Sequence, residues 1–303
     1  MIAALFVGLG LLTLVYVVDW AIQAHKHADT PDPGRPDAER IAVGFVANFF
    51  DALGIGSFAT STAYFRLRKL VRDELIPGSL NVGHALPTIT QAFIGIAVIK
   101  VDPMTLVLMI AAAVVGSWFG AGIVSRLPRR AIQVGMGIAL LVAAGFFLAR
   151  LLRWMPSSDT GTLDLTGMKL ILGLVGSFFL GTIMPLGIGY YAPCMILVSM
   201  LGMNPRASFP IMMGACAFLM PVASMNFIRA RRYSLKLTVG LAIGGVFGSA
   251  LALMVVKEMK LNSVRWLVTV VVIYTGLSLL RTAAREKAAS EVVPASENGP
   301  AAT

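Results

Sequence analysis

The amino-acid sequence predicts an all-α, polytopic membrane helix bundle, and three observations carry that prediction. Of 303 residues, 57% are hydrophobic and 13% are charged, about half the ~25% charged share of soluble domains. Mean hydropathy is +0.81. The apolar residues fall in long runs, several of which reach the ~20 residues needed to cross a hydrocarbon core ~30 Å thick. Lys and Arg concentrate in the short connections between runs, as in a chain oriented by a membrane. Lipid offers backbone N–H and C=O groups no partners, so a spanning run must be helical or part of a closed barrel. Alternating period-2 patterns are absent, which removes the barrel.

The elements follow in order. Residues 2–21 form a first apolar segment with nothing basic before it and no small-x-small cleavage site after it. It is expected to be a retained helix rather than a cleaved leader. With the polar, Pro-rich stretch up to residue 40 it makes an extra N-terminal unit, 1–40. Further apolar segments lie at about 41–66, 75–99, 103–125, 130–152, 168–202, 206–228, 235–257 and 264–281. A polar link separates two groups of four at 154–167. The C-terminal stretch 283–303, rich in Ala, Ser, Glu and Pro, is expected to be disordered.

The two groups of four repeat one another. VGFVANFF at 43–50 aligns with LGLVGSFF at 172–179, and GIGS at 54–57 with GIGY at 187–190. Gly83 aligns with Gly214, and GSWFGAG at 116–122 with GGVFGSA at 244–250. Residues 41–153 are therefore one transmembrane repeat and 168–282 a second. Duplication of this kind is common in transporters.

Each repeat opens on a broken segment. Residues 168–202 are too long for one upright span and read TIMPLGIGYYAP at their centre; the first copy reads DALGIGSFATS. Gly and Pro at that density interrupt a helix, so each segment is expected to be two half-helices meeting at Gly-Ile-Gly. Distributing Lys and Arg over the loops favours re-entrant segments, because that choice gives the more lopsided charge split. It also leaves an odd number of crossings per repeat and makes the repeats inverted.

A half-helix that starts inside the membrane presents free N–H groups and a partial positive charge, and can hold an anion without a buried Lys or Arg. Gly54, Gly56, Ser57 and Thr60 of the first break, and Gly187, Gly189, Tyr190 and Pro193 of the second, are the candidate substrate-binding residues. Ser61 and Tyr191 add hydroxyls nearby. The same glycines also suit simple close packing of helices. Asp51 lies in an apolar run just before the first break. A carboxyl there carries a coupling proton or sits solvated near an interface. Asn81 and His84, three residues apart, share one helical face. They either complete the site, with His84 as an alternative proton carrier, or form a structural pair.

Weaker signals resolve otherwise. His25, His27, Asp29 and Asp32 resemble a metal patch but lie in a loop. Cys194 and Cys216 sit in apolar runs, so no disulfide framework is expected. Gly116/Gly120 and Gly244/Gly248 are spaced for helix packing, and the Met-rich stretch 195–225 for apolar filling. No Walker loop, zinc signature or nucleophile elbow appears, so catalytic residues, metals and cofactors are not expected. The net charge of +10 follows from loop Lys and Arg, and nucleic acid is not an expected partner.

These features together resemble the sulfite exporter TauE/SafE family of membrane permeases over about residues 41–281. The resemblance rests on the two repeats, on Gly54 and Gly56 with Thr60 where a Pro is usual, and on Gly187, Gly189 and Pro193. It also rests on the small-residue pairs Gly116/Gly120 and Gly244/Gly248, followed by Arg130 and Arg265. Three or more adjacent glycines in the family are here reduced to Gly-Ile-Gly in both halves. The resemblance implies export or uptake of a small anion such as sulfite or an organosulfonate; a multi-pass inner-membrane secondary transporter is expected, coupled to protons through Asp51 or His84. The expected partners are that anion and the lipid bilayer, with a homo-oligomer left open. A membrane enzyme or a non-transporting assembly protein is the alternative.

Overall fold

The computed structural model describes residues 2–26, 35–53, 55–96, 101–154, 161–187, 189–204, 207–255 and 262–292. They form eleven helices and no named strand. In chain order these are α1 (Ile2–Lys26), α2 (Ala38–Ala52), α3 (Ser57–Arg68), α4 (Ile76–Gly95), α5 (Pro103–Val124) and α6 (Arg129–Leu151). They are followed by α7 (Gly167–Ile183), α8 (Tyr191–Met200), α9 (Ser208–Arg229), α10 (Leu235–Val255) and α11 (Asn262–Val292). Six are long and apolar enough to cross a membrane: α1, α5, α6, α7 with the turn after it, α9 and α10. The protein is an all-α polytopic bundle.

The expected long segments 41–66 and 168–202 are each two helices. The first is α2 and α3, broken at Leu53–Gly56, and the second is α7 and α8, broken by a 3-10 turn and a glycine pair. α11 continues past residue 283 to Val292, where Ala, Glu, Arg and Lys favour helix. His27, Asp29, Asp32, Gly54 and residues 293–303 lie outside the described residues.

The bundle has a largely apolar core that also holds polar residues, and an apolar exterior. Val7, Leu11, Leu14, Trp118, Phe119, Phe247, Val270 and Tyr274 are exposed, while Asn48, Asp51, Asn81, His84, Gln91, Ser177 and Ser249 are buried. That distribution suits a hydrocarbon solvent, in which buried polar groups must find partners in the protein. α4 packs on α9 in the buried middle of the bundle. α2 packs on α10 and α7 on α5, α4 on α10 and α9 on α5, and α6 on α11. Exchanging α2–α6 for α7–α11 in order maps these packing pairs onto one another. α1 lies outside the exchange, against α9 and α4, with the Tyr16 hydroxyl donating to Val82 O at 2.9 Å.

Glycines let the paired helices touch backbone to backbone. A Cβ on Gly116 would sit 2.0 Å from Phe178 O, and one on Gly120 1.9 Å from Thr182 O, both on α7. On the other side, a Cβ on Gly244 would sit 1.9 Å from Ile41 O, and one on Gly248 2.2 Å from Phe45 O, both on α2. Each small-xxx-small pair thus seats the helix that leads to a break.

Both ends of the first broken segment lie together. Glu39, near the start of α2, accepts from Tyr64 Oη at 2.9 Å and from Arg68 Nε at 2.8 Å near the end of α3. At the second, the Thr162 N–H, just before α7, donates to Gly202 O, just after α8, at 3.2 Å. The face at the end of α3 is basic and cross-braced. Arg66 pairs with Asp73 at 2.6 Å, Gln133 donates to Asp73 and Glu286, and Arg129 reaches Glu286 at 3.3 Å.

Candidate functional site

The first break is held open by a carboxylate. Gly56 has φ +89°, which an L side chain disfavours, and it lets the chain restart as α3 at Ser57. The Asp51 side chain reaches back over the gap, and its Oδ1 accepts from the Ser57 backbone N–H at 2.7 Å. A free N–H at the α3 start is thus capped by a residue of α2. Asp51 Oδ2 accepts from Gln91 Nε2 of α4 at 2.8 Å.

Gln91 connects this break to the second. Its Nε2 also donates to Ser249 Oγ of α10 at 3.1 Å, and its Oε1 accepts from the Tyr191 hydroxyl at 2.8 Å. Tyr191 is the first residue of α8, two positions after Gly189, whose φ is +76°. Gly187, before it, has φ +104°. Asp51, Gln91 and Tyr191 therefore form one hydrogen-bonded path between the two Gly-Ile-Gly elements.

A cavity of about 70 Å³ lies at this junction. Asp51, Gly56 and Ser57 line it from the first break, and Gly189, Tyr190, Tyr191 and Pro193 from the second. Phenylalanines and methionines make up much of the rest of the wall, including Phe58, Phe146, Phe209, Met212 and Met220. No Lys or Arg lies among the described lining residues.

The other candidates stand apart from the lining. Thr60 Oγ1 donates within its own helix, to Gly56 O and Ser57 O at 3.1 and 2.9 Å. Asn81 Nδ2 donates to Pro77 O at 2.8 Å and to Pro185 O at 3.3 Å, tying α4 to the turn before the second break. His84 is fully buried. Its Nδ1 lies 2.9 Å from the Asn48 amide of α2 and its Nε2 3.0 Å from Ser61 Oγ of α3. The imidazole bridges the two halves of the broken segment instead of facing Asp51. Tyr190 bonds Ser177 of α7 across the second break, in a comparable bracing position.

Sequence reasoning passed over Gln91, Ser249 and Asn48. A signal for Gln91 was present. Asn81, His84, Thr88 and Gln91 are spaced 3, 4 and 3 residues apart, which makes a polar stripe on one helix face. That stripe also makes α4, central in the bundle, less apolar than α10, which packs on it.

Comparison with known families supplies a match. The model of the family described as Sulfite exporter TauE/SafE matches residues 40–279. That span begins in the first turn of α2 and ends in α11, so it contains both breaks and the cavity. Searches of curated proteins and of solved structures gave no match. The match covers most of the chain and all of the site, and the protein belongs to the sulfite exporter TauE/SafE family of multi-pass membrane transporters.

Proposed function

We propose that the protein is a secondary transporter that moves a small anion, such as sulfite or an organosulfonate, across the inner membrane together with a proton. The supporting observation is the cavity between the two breaks, with Asp51 seated on the first N–H of α3. The wall offers an anion two half-helix N-termini and hydroxyl groups. Its remaining surface of Phe and Met suits the apolar side of a sulfonate.

Asp51 sets the coupling. An ionised carboxylate in the wall repels a second anion and occupies the N–H that the anion needs. A proton on Asp51 removes the charge and weakens its hold on Ser57, since uncharged acceptors bind less strongly. One proton thus accompanies one anion. His84, with both ring nitrogens engaged, holds the break in shape, and Asn81 does the same at the second. In this account 41–153 and 168–282 are inverted repeats whose breaks enter from opposite faces; the exchange of packing pairs supports the duplication. The basic face is cytoplasmic by the positive-inside rule.

The test is flux. The full chain in proteoliposomes is expected to take up radiolabelled sulfite or methanesulfonate when the side of addition is made acidic. Equal uptake with and without the gradient, or gradient-driven uptake that proton ionophore leaves unchanged, would remove the proton from the mechanism.

A further inference from the structure

The path Asp51–Gln91–Tyr191 can run in either hydrogen-bonding direction, and that property has a consequence at the cavity. In the arrangement observed, both Asp51 oxygens accept, Gln91 Nε2 donates to Asp51 and Ser249, and Tyr191 donates to Gln91 Oε1. Ser57 N–H and Gln91 Nε2 both donate to the carboxylate and Tyr191 donates to the far side of Gln91, an arrangement that fits an ionised Asp51. The Tyr191 hydrogen is spent on Gln91, although Tyr191 lines the cavity.

We infer that Gln91 is a positioning residue that turns over when Asp51 is protonated and thereby delivers the Tyr191 hydroxyl to the anion. This rests on the transport reading above. A proton entering from the cavity binds Asp51 Oδ2, which becomes a donor and can no longer face the Gln91 NH₂. A half-turn of the amide brings Oε1 to Asp51 and Nε2 to Tyr191. Oε1 then accepts from Asp51, and the Ser249 hydroxyl rotates to donate to it. Nε2 donates to the Tyr191 oxygen, and the Tyr191 hydrogen, displaced from Gln91, turns into the cavity as a donor. Ser57 N–H, left facing an uncharged oxygen, is shared with the incoming anion. One proton at the first break thus prepares a donor at the second. The titratable groups of neighbouring elements that face Asp51 are Tyr191 of α8 and Cys216 of α9. α3, α4 and α10 present Ser57, Gln91 and Ser249, which do not titrate in this range.

The relay makes a pH-selective prediction. Tyr191→Phe removes the anion's donor on the acid side, and on the alkaline side only the partner of Gln91 Oε1. Its half-saturation concentration for methanesulfonate, a monoanion throughout, is expected to rise about tenfold at acid pH, the loss of a hydrogen bond to a charged group. At alkaline pH, where the hydroxyl serves Gln91 instead of the anion, the rise is expected to be smaller. A merely structural defect would raise the value equally at every pH.

The experiment pairs exchange kinetics with acid-minus-base infrared difference spectra of the full chain in lipid. The spectra are expected to show a protonated-carboxyl band that Asp51→Asn removes. With it should appear a side-chain amide change, sensitive to ¹⁵N-glutamine and absent in Gln91→Leu, and a tyrosine change absent in Tyr191→Phe. A carboxyl band without amide or tyrosine changes, or a Tyr191→Phe effect uniform in pH, overturns the relay. Coupled bands in a protein that moves neither methanesulfonate nor sulfite would sink the transport reading and leave the relay standing.

Discussion

The Asp51 carboxylate sits on the backbone N–H of Ser57 at 2.7 Å, so the residue before the first break caps the helix after it. An acidic side chain thereby occupies a place suited to an anionic solute. Most of what can be tested follows from that shared place.

Asp51→Asn keeps the shape of the cap while removing the charge and the proton. The variant is expected to exchange anion across the membrane at a rate that no longer varies with pH, and to lose accumulation driven by a pH gradient. Counterflow and gradient-driven uptake, measured side by side, check this. Retained accumulation in the variant would exclude Asp51 as the carrier.

Gly189→Ala is expected to cost about 1–2 kcal/mol, the penalty for an L residue in the left-handed region. The cost is conformational, since a Cβ there meets open space and the φ is +76°. Thermal unfolding in detergent measures the loss. Gly56→Val, at φ +89°, adds β-branching and is expected to abolish transport while leaving membrane insertion intact. Wild-type transport in both variants would remove the glycines from the site.

Gly120→Val acts through packing. Its Cβ would lie 1.9 Å from Thr182 O, backbone against backbone, and the helices must part by an amount that costs about 1–3 kcal/mol or more. Gly122, two residues on, has open space around it, and Gly122→Ala is expected to be neutral. The pair of variants separates tight packing from a general intolerance of α5 to larger side chains.

Topology gives a further check. α1 is expected to run from outside to inside, and the C-terminus to be cytoplasmic with Arg66, Arg68 and Arg129 on the same side. A reporter fused at Arg285 that is active only in the periplasm would reverse the orientation.

The helices and both breaks were legible because they depend on local composition. Long apolar runs demand helices in lipid, and Gly-Ile-Gly inside such a run demands an interruption. Asp51 was legible for the same reason, as a charge where charges are expensive. Its partners were not. Gln91 is 40 residues from Asp51, 100 from Tyr191 and 158 from Ser249, and no local pattern encodes which of those distant groups it will meet. His84 shows the converse. Its spacing from Asn81 put both on one face, yet Asn48 and Ser61 claim its ring, and Pro185 rather than Asp51 receives Asn81. Side-chain pairing at the centre of a bundle is set by how α2, α4, α8 and α10 pack, which is a property of the whole chain.

The central claim is that one anion and one proton share the cavity at Asp51. The most direct measurement is uptake of labelled sulfite and of methanesulfonate into proteoliposomes containing the full chain, with an imposed pH gradient, for wild type and Asp51→Asn. Accumulation of either anion above its equilibrium level in wild type, collapsed by proton ionophore and absent in Asp51→Asn, is the predicted result. Accumulation that survives the ionophore, or that Asp51→Asn retains in full, would contradict it.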